Sequence, residues 1–221
     1  MKALTYSFTF ADGRELRLHM DFDDQMRLRQ RAPEPWTRLD FHRCPHCPLP
    51  ADAEFCPFTA GLAPFLGDFA DVHSYERVQV VVRSELRVVA AERAVQHGLA
   101  SVIGLIGATC GCPHLDFFRP MARFHLPFAS EEETLVRAFS MHLLEDWILG
   151  RPPSLDDLAA HYLTAAQVNR AMADRVRAAF RRDAVVNALV SLDAYAQAVP
   201  FVIEEKLGEL AYIFQPEPAA G

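Results

Sequence analysis

The sequence has no surplus of positive charge: 22 Lys and Arg stand against 29 Asp and Glu, a formal net charge of -7. Such a chain repels phosphate backbones, which argues against nucleic acid as a partner. Also missing is any run of the roughly eighteen apolar residues that a membrane span needs; GLASVIGLIGATCG is too short and too rich in glycine. The opening MKALTYSFTFADG lacks the apolar core of a secretory leader and alternates like a strand. The expected location is therefore the cytoplasm, where cysteines stay reduced. Catalytic signatures are scarce as well. No G-x-S-x-G elbow occurs, and Gly98, Gly104, Gly107 and Gly111 fit neither a Walker loop nor a dinucleotide fingerprint, so close helix packing is their expected role. His97, His142 and His161 lack a second histidine at i+4, so no H-E-x-x-H site exists. Glu145-Asp146 and Asp156-Asp157 are neighbours that point apart on a helix, which suits concerted acid-base work poorly.

What is present is an ordinary globular composition, 51% hydrophobic and 23% charged over 221 residues. Residues 3–10 and 15–22 alternate around Ala11-Asp12-Gly13 and read as a β-hairpin. The valine-rich YERVQVVVRSELRVVAAE adds one or two strands, with Arg83-Ser84-Glu85 as a turn or a kink. PFTAGLAPFLGDFADV reads as a short helix or two turns broken at Pro64. From residue 92 the chain reads as helical, with Val95, Leu99, Val102, Ile103 and Ile106 on one face. Ser130 and Glu133 form a capping box, Arg151-Pro152-Pro153 ends that helix, Ser154 with Asp157 opens the next, and a last helix is expected after Pro200. The expected fold is α+β, a small antiparallel sheet of three or four strands packed by a predominantly helical C-terminal two-thirds. A single domain over 1–215 is expected, with the sheet and a Cys-Pro segment in 1–91, helices in 92–215 and a disordered tail at 216–221.

The five cysteines are the conspicuous feature. RCPHCPLPADAEFCPF holds Cys44, Cys47 and Cys56, each followed by proline, and ATCGCPHLDFF adds Cys110 and Cys112. A C-x2-C turn lets two soft thiolates reach one metal ion, so Cys44 and Cys47, with Cys56 third and Cys112 fourth, form a candidate metal site. Pro57 and Pro113 suit the first helical position, which would place Cys56 and Cys112 at helix N-caps. Four sulfurs suit tetrahedral Zn²⁺ best, with His46 and His114 as alternates; an iron–sulfur cluster is the other metal reading, although the spacing matches neither ferredoxin pattern. Buried cysteines with nothing bound, or a redox pair of Cys44 with Cys47, are the remaining readings.

A second stretch, LDFFRPMARFHLPFAS, gathers Arg119, Arg123 and His125 before a helix start. It suggests an anion pocket, or else arginines paired with the local carboxylates Asp116, Glu131 or Glu132.

Taken together, CPHCPL, EFCPF, YERVQVVV and VQHGLASVIGLIGATCGCPHLDFFRPMARFHLPFASEEET resemble a bacterial family of uncharacterised proteins, a domain of unknown function with CPxCPL, GCP and RPMxRFHLPF motifs. The resemblance runs from about residue 3 to 200 and implies a defined fold without naming an activity. Its pattern reads Thr-Ser-Gly-Cys-Pro where this chain has Thr109-Cys110-Gly111-Cys112-Pro113, so the matching cysteines are Cys44, Cys47, Cys56 and Cys112, and Cys110 is the departure. The resulting expectation is a four-cysteine site, structural zinc first, in a protein that binds an unidentified protein or a small anionic ligand. The alternative is a redox or iron–sulfur enzyme or sensor using the same cysteines.

Overall fold

The computed structural model describes residues 1–69, 71–152, 154–180 and 183–214, so the expected tail at 216–221 and Pro153 lie outside the described residues. Alternation builds the first hairpin, β1 (Ala3–Thr9) and β2 (Glu15–Asp21), closed at Gly13, which takes a left-handed φ of 84°. The Cys-Pro segment follows as irregular chain and ends in α1 (Pro57–Leu66). β3 (Arg77–Ser84) and β4 (Val88–Ala94) come next, so Ser84–Arg87 is a turn and not a kink. All pairings are antiparallel, and the sheet order is β2-β1-β3-β4. The fold is α+β, as its patterning implies.

The helical part begins at α2 (Val95–Thr109), three residues later than expected, because Arg77 to Arg83 hold residues 88–94 in register as an edge strand. After a 3-10 turn come α3 (Arg119–Ala122), α4 (Glu131–Leu149), α5 (Leu155–Ala179) and α6 (Asp183–Glu209). The Ser130 hydroxyl accepts from the Glu133 amide at 3.0 Å while the Glu133 carboxylate accepts from the Ser130 amide at 2.7 Å. Gly150, at φ 66°, closes α4 in a left-handed cap, and Ser154 accepts from the Asp157 amide at the start of α5.

Two prolines sit inside helices where the sequence suggested breaks. Pro64 leaves the Ala60 carbonyl without its helical donor, and the Ala32 amide takes that place at 2.9 Å, so α1 continues. Pro200 lies within α6 and no new helix starts there; Ala196, Val199 and Ile203 are buried on either side of it, and their packing outweighs the lost bond.

Residues Ala184–Ile203 of α6 form the one helix among the described residues that is long and apolar enough to cross a membrane by length and composition, with a mean hydropathy of 1.4. Ala184, Val185, Ala188 and Leu189 are nonetheless fully buried, and α6 packs along α5, with Arg170 paired to Asp193. Buried residues make up 33% of this stretch, the face that packs on its neighbours, while Val190 and Phe201 are exposed.

The core lies where the inner face of the sheet meets α2. Leu4, Tyr6 and Phe8 of β1 and Val78, Val80 and Val82 of β3 alternate inward against Val95, Leu99, Val102, Ile103 and Ile106. Gly98 lets the helix approach: a Cβ there would stand 2.6 Å from the Phe8 ring and 3.3 Å from Val80. Gly107 is similar, with Leu115 at 3.1 Å and Phe58 at 3.3 Å. Gly98→Ala should therefore destabilise the protein by about 1–2 kcal/mol, overpacking outweighing a gain in helix propensity of roughly 1 kcal/mol. Urea unfolding measures this, and a stability equal to or above the parent would mean that the helix does not need the glycine.

Candidate functional site

The cysteine segment is held from both ends. Arg38 and Phe55 form an antiparallel bridge, and the Cys56 amide donates to the Thr37 carbonyl at 2.8 Å, closing residues 39–54 into a loop. Within it the Cys47 amide donates to the Cys44 carbonyl at 3.1 Å, the tight turn that a C-x2-C pair needs. The His46 carbonyl lies 2.8 Å from His114 Nε2, and the two rings are 4.8 Å apart. This contact brings the Cys44-Cys47 turn to the Cys112-Pro113-His114 turn across 68 residues of sequence.

Cys44, Cys47, Cys56 and Cys112 consequently share one electrostatic neighbourhood. Burial pushes the Cys44 thiol up to about 12, and Cys56, Cys112 and Cys47 push it the same way. Burial also raises Cys112 to about 11, opposed by the nearby His114 and Leu115 backbone amides; the Leu115 amide donates to the Cys112 carbonyl at 3.0 Å. Thiols raised in this way are poor nucleophiles.

Cys56 is the N-cap of α1, as expected from Pro57. Cys112 caps no helix: Pro113 enters a turn, and the next 3-10 turn starts at Asp116, so no helix dipole faces its sulfur. Cys110 is fully buried at the end of α2, its sulfur 3.2 Å from the Gly107 carbonyl and 3.4 Å from the Cys112 amide. Gly111 follows at φ 90° and turns the chain from one cysteine to the other. Among the described residues no three His, Cys, Asp or Glu side chains are gathered closely enough to hold a metal ion as they stand.

Beside the thiols is a residue that sequence reading missed. Arg175 of α5 has no solvent exposure, and its guanidinium donates to the Trp36 carbonyl at 3.1 Å and to the Arg38 carbonyl. No carboxylate lies within ion-pair distance of it among the described residues. Burial pulls its pKa down, and the neighbours that favour its charge are led by Cys56 and Cys44. The spacing Val168, Met172, Arg175, Ala179 could have exposed it, an arginine at an apolar-face position of a helix.

The second expected cluster is only partly assembled. Arg119 pairs with Asp116 at 3.1 Å and donates to the Gln25 carbonyl; Arg27 also pairs with Asp116. Arg123 is exposed and donates to the Asp24 carbonyl at 2.8 Å. His125 instead faces a cavity of about 770 Å³ beneath α2, where Tyr6 lies 2.6 Å from its Nε2 and 2.8 Å from the Ser101 hydroxyl. Burial holds the His125 imidazole neutral, down to about 3. The cavity wall is mainly apolar, with Phe58, Ile103, Leu115, Phe118, Met121 and Leu192, and its polar groups include Arg137, Tyr162, Tyr195 and Asn169.

Fold and site together define an α+β protein with a cysteine-rich junction and a large, mainly apolar pocket that opens to solvent. The chain belongs to the family of the domain of unknown function DUF6901, whose match covers residues 4–215. No curated protein matches the chain, and no solved structure does.

A His125 pKa below its unfolded value near 6.5 means that the unfolded chain binds the extra proton first. Stability from this residue is complete above pH 6.5 and declines toward pH 3, with a slope approaching about 1.4 kcal/mol per pH unit. Urea unfolding at pH 7, 6 and 5 should show a steeper loss in the parent than in His125→Gln; equal slopes would place a protonated imidazole in the folded state.

Proposed function

We propose that Cys44, Cys47, Cys56 and Cys112 are the ligands of a structural Zn²⁺ that ties the N-terminal loop to the end of α2, in a cytoplasmic protein whose task is binding or regulation. The observation that carries this reading is Arg175, a fully buried guanidinium whose neighbours favouring its charge are led by the thiols of Cys56 and Cys44. Burying a lone charge costs several kcal/mol, and two backbone carbonyls supply dipoles but no opposite charge. Four thiolates around Zn²⁺ carry a net charge of about -2, and a buried arginine is a fitting counter-ion.

Two further features support the donor set. The buried His46 Nε2 lacks a hydrogen-bond partner, which leaves a polar atom facing the same turn. The His114 and Leu115 backbone amides beside Cys112 lower its pKa against the effect of burial, an influence that favours a charged sulfur. His114 Nε2 is engaged with the His46 carbonyl, so of the two histidine alternates only His46 keeps that nitrogen open. With four sulfurs the coordination shell is closed, and a closed shell does not activate water. The ion's contribution is then folding energy, and closing it requires the thiols to gather and release their protons. The second reading, an iron–sulfur or redox centre on the same cysteines, draws on the same donor chemistry.

Cys56→Ser should lower bound zinc and the melting temperature together, since binding energy at such a site is folding energy. Cys110→Ser should leave both nearly unchanged, because its sulfur is engaged within its own turn. Full zinc occupancy in Cys56→Ser would remove that residue from the ligand set, and iron with a brown colour in the parent would favour the second reading.

A further inference from the structure

The cavity beneath α2 has three features that point to a ligand of one chemical kind. Its volume of about 770 Å³ is in the range of pockets that enclose a small organic molecule. The floor is opened by an unusual residue: Gly104 sits in the middle of α2, where glycine costs about 1 kcal/mol relative to alanine. Unlike Gly98 and Gly107, it touches nothing closely, for a Cβ there would meet only Leu192 at 3.9 Å. Packing does not require this glycine, and its lack of a side chain enlarges the cavity.

The third feature is Arg137 of α4, which lines the cavity half-buried. One of its terminal nitrogens donates to the Phe124 carbonyl at 3.0 Å and weakly to that of Met121 at 3.3 Å. Its other N–H groups have no protein acceptor among the described residues, and no carboxylate is within ion-pair distance of it among them. Glu133, the nearest negative group, spends an oxygen on the Ser130 amide. Of the neighbouring hydroxyls, Tyr195 donates to the Glu131 carbonyl at 3.3 Å, and the Tyr162 ring packs edge-on against that of Tyr195 at 6.0 Å. A guanidinium with free donors in an apolar enclosure matches a carboxylate, which it can grip through two parallel bonds. The lining sets Arg93 and Arg137 against Glu131 and Glu133, so it carries no surplus positive charge for a dianion such as a phosphate monoester.

From this we infer that the cavity binds a small monoanionic amphiphile, an apolar chain or ring lying over Gly104 with its carboxylate on Arg137. The ligand site is thus displaced from the Arg119 and Arg123 side of the segment to its interior, where His125 contributes a neutral wall group. The inference does not depend on what the thiols hold.

Calorimetric titration of the full protein with decanoate, and with 1-decanol as its uncharged counterpart, tests it. Decanoate should bind at least about tenfold more tightly than 1-decanol, and Arg137→Gln should weaken decanoate by about tenfold to a hundredfold while leaving 1-decanol nearly unchanged. Gly104→Phe, whose ring would fill the cavity, should abolish both while keeping a cooperative thermal transition. Absence of decanoate binding, equal affinities for the acid and the alcohol, or full decanoate affinity in a folded Gly104→Phe would each overturn the assignment. If Arg137→Gln does not fold, the acid-to-alcohol ratio and Gly104→Phe decide it alone.

Discussion

A guanidinium with no access to water organises this structure. Removing such a charge from solvent costs several kcal/mol unless opposite charge and hydrogen bonds replace the lost hydration. Arg175 obtains the bonds from the Trp36 and Arg38 carbonyls, across roughly 140 residues of sequence. The strand-like pairing of Arg38 with Phe55, and of Thr37 with Cys56, then fixes both ends of the cysteine loop. Helix α5 is thereby joined to a segment with almost no regular structure of its own. In this account the balancing charge comes from the sulfurs, and the reading of the cysteines as metal ligands rests on that balance.

The same junction bears on the cavity. Phe58 lies two residues after Cys56 and Leu115 three after Cys112, and both line the cavity while packing against Gly107. A bond network that joins Cys56 to Cys112 would hold these two walls at a fixed separation. Tyr6 reaches the opposite end from the centre of the sheet and touches Ser101 of α2 and His125 of the following loop. The cavity is thus bounded by the sheet, by α2, by α4 and by the α5–α6 pair, each supplying side chains that its own packing holds in place.

Local rules made much of this legible. The alternation of LTYSFTF and RVQVVV yields the two central strands of the sheet, the Ser130 capping box starts a helix, and five residues of α2 at helical spacing are all buried. The cysteines could be picked out, and the turn of Cys44 with Cys47 is formed, because spacing within a short loop is a local property. Long-range features were not legible. Pro64 stays inside its helix because Ala32, distant in sequence, supplies a donor, and nothing nearby announces that contact. Arg137 reads as an ordinary helix-surface arginine until the chain is folded, and although Arg175 falls at an apolar-face position of α5, nothing local names the carbonyls it meets. The polar stretch around Arg119 drew attention by composition, yet Asp116 takes Arg119, the Asp24 carbonyl takes Arg123, and only His125 turns to the cavity.

The most direct test of the account is X-ray absorption at the zinc edge, on protein purified without oxygen or added metal, with total metal measured on the same sample. The account predicts about one zinc per chain with four sulfur neighbours near 2.3 Å. A metal-free chain that is fully folded would contradict it, leaving Arg175 to the carbonyl dipoles and to Asp40, which lies beyond ion-pair distance.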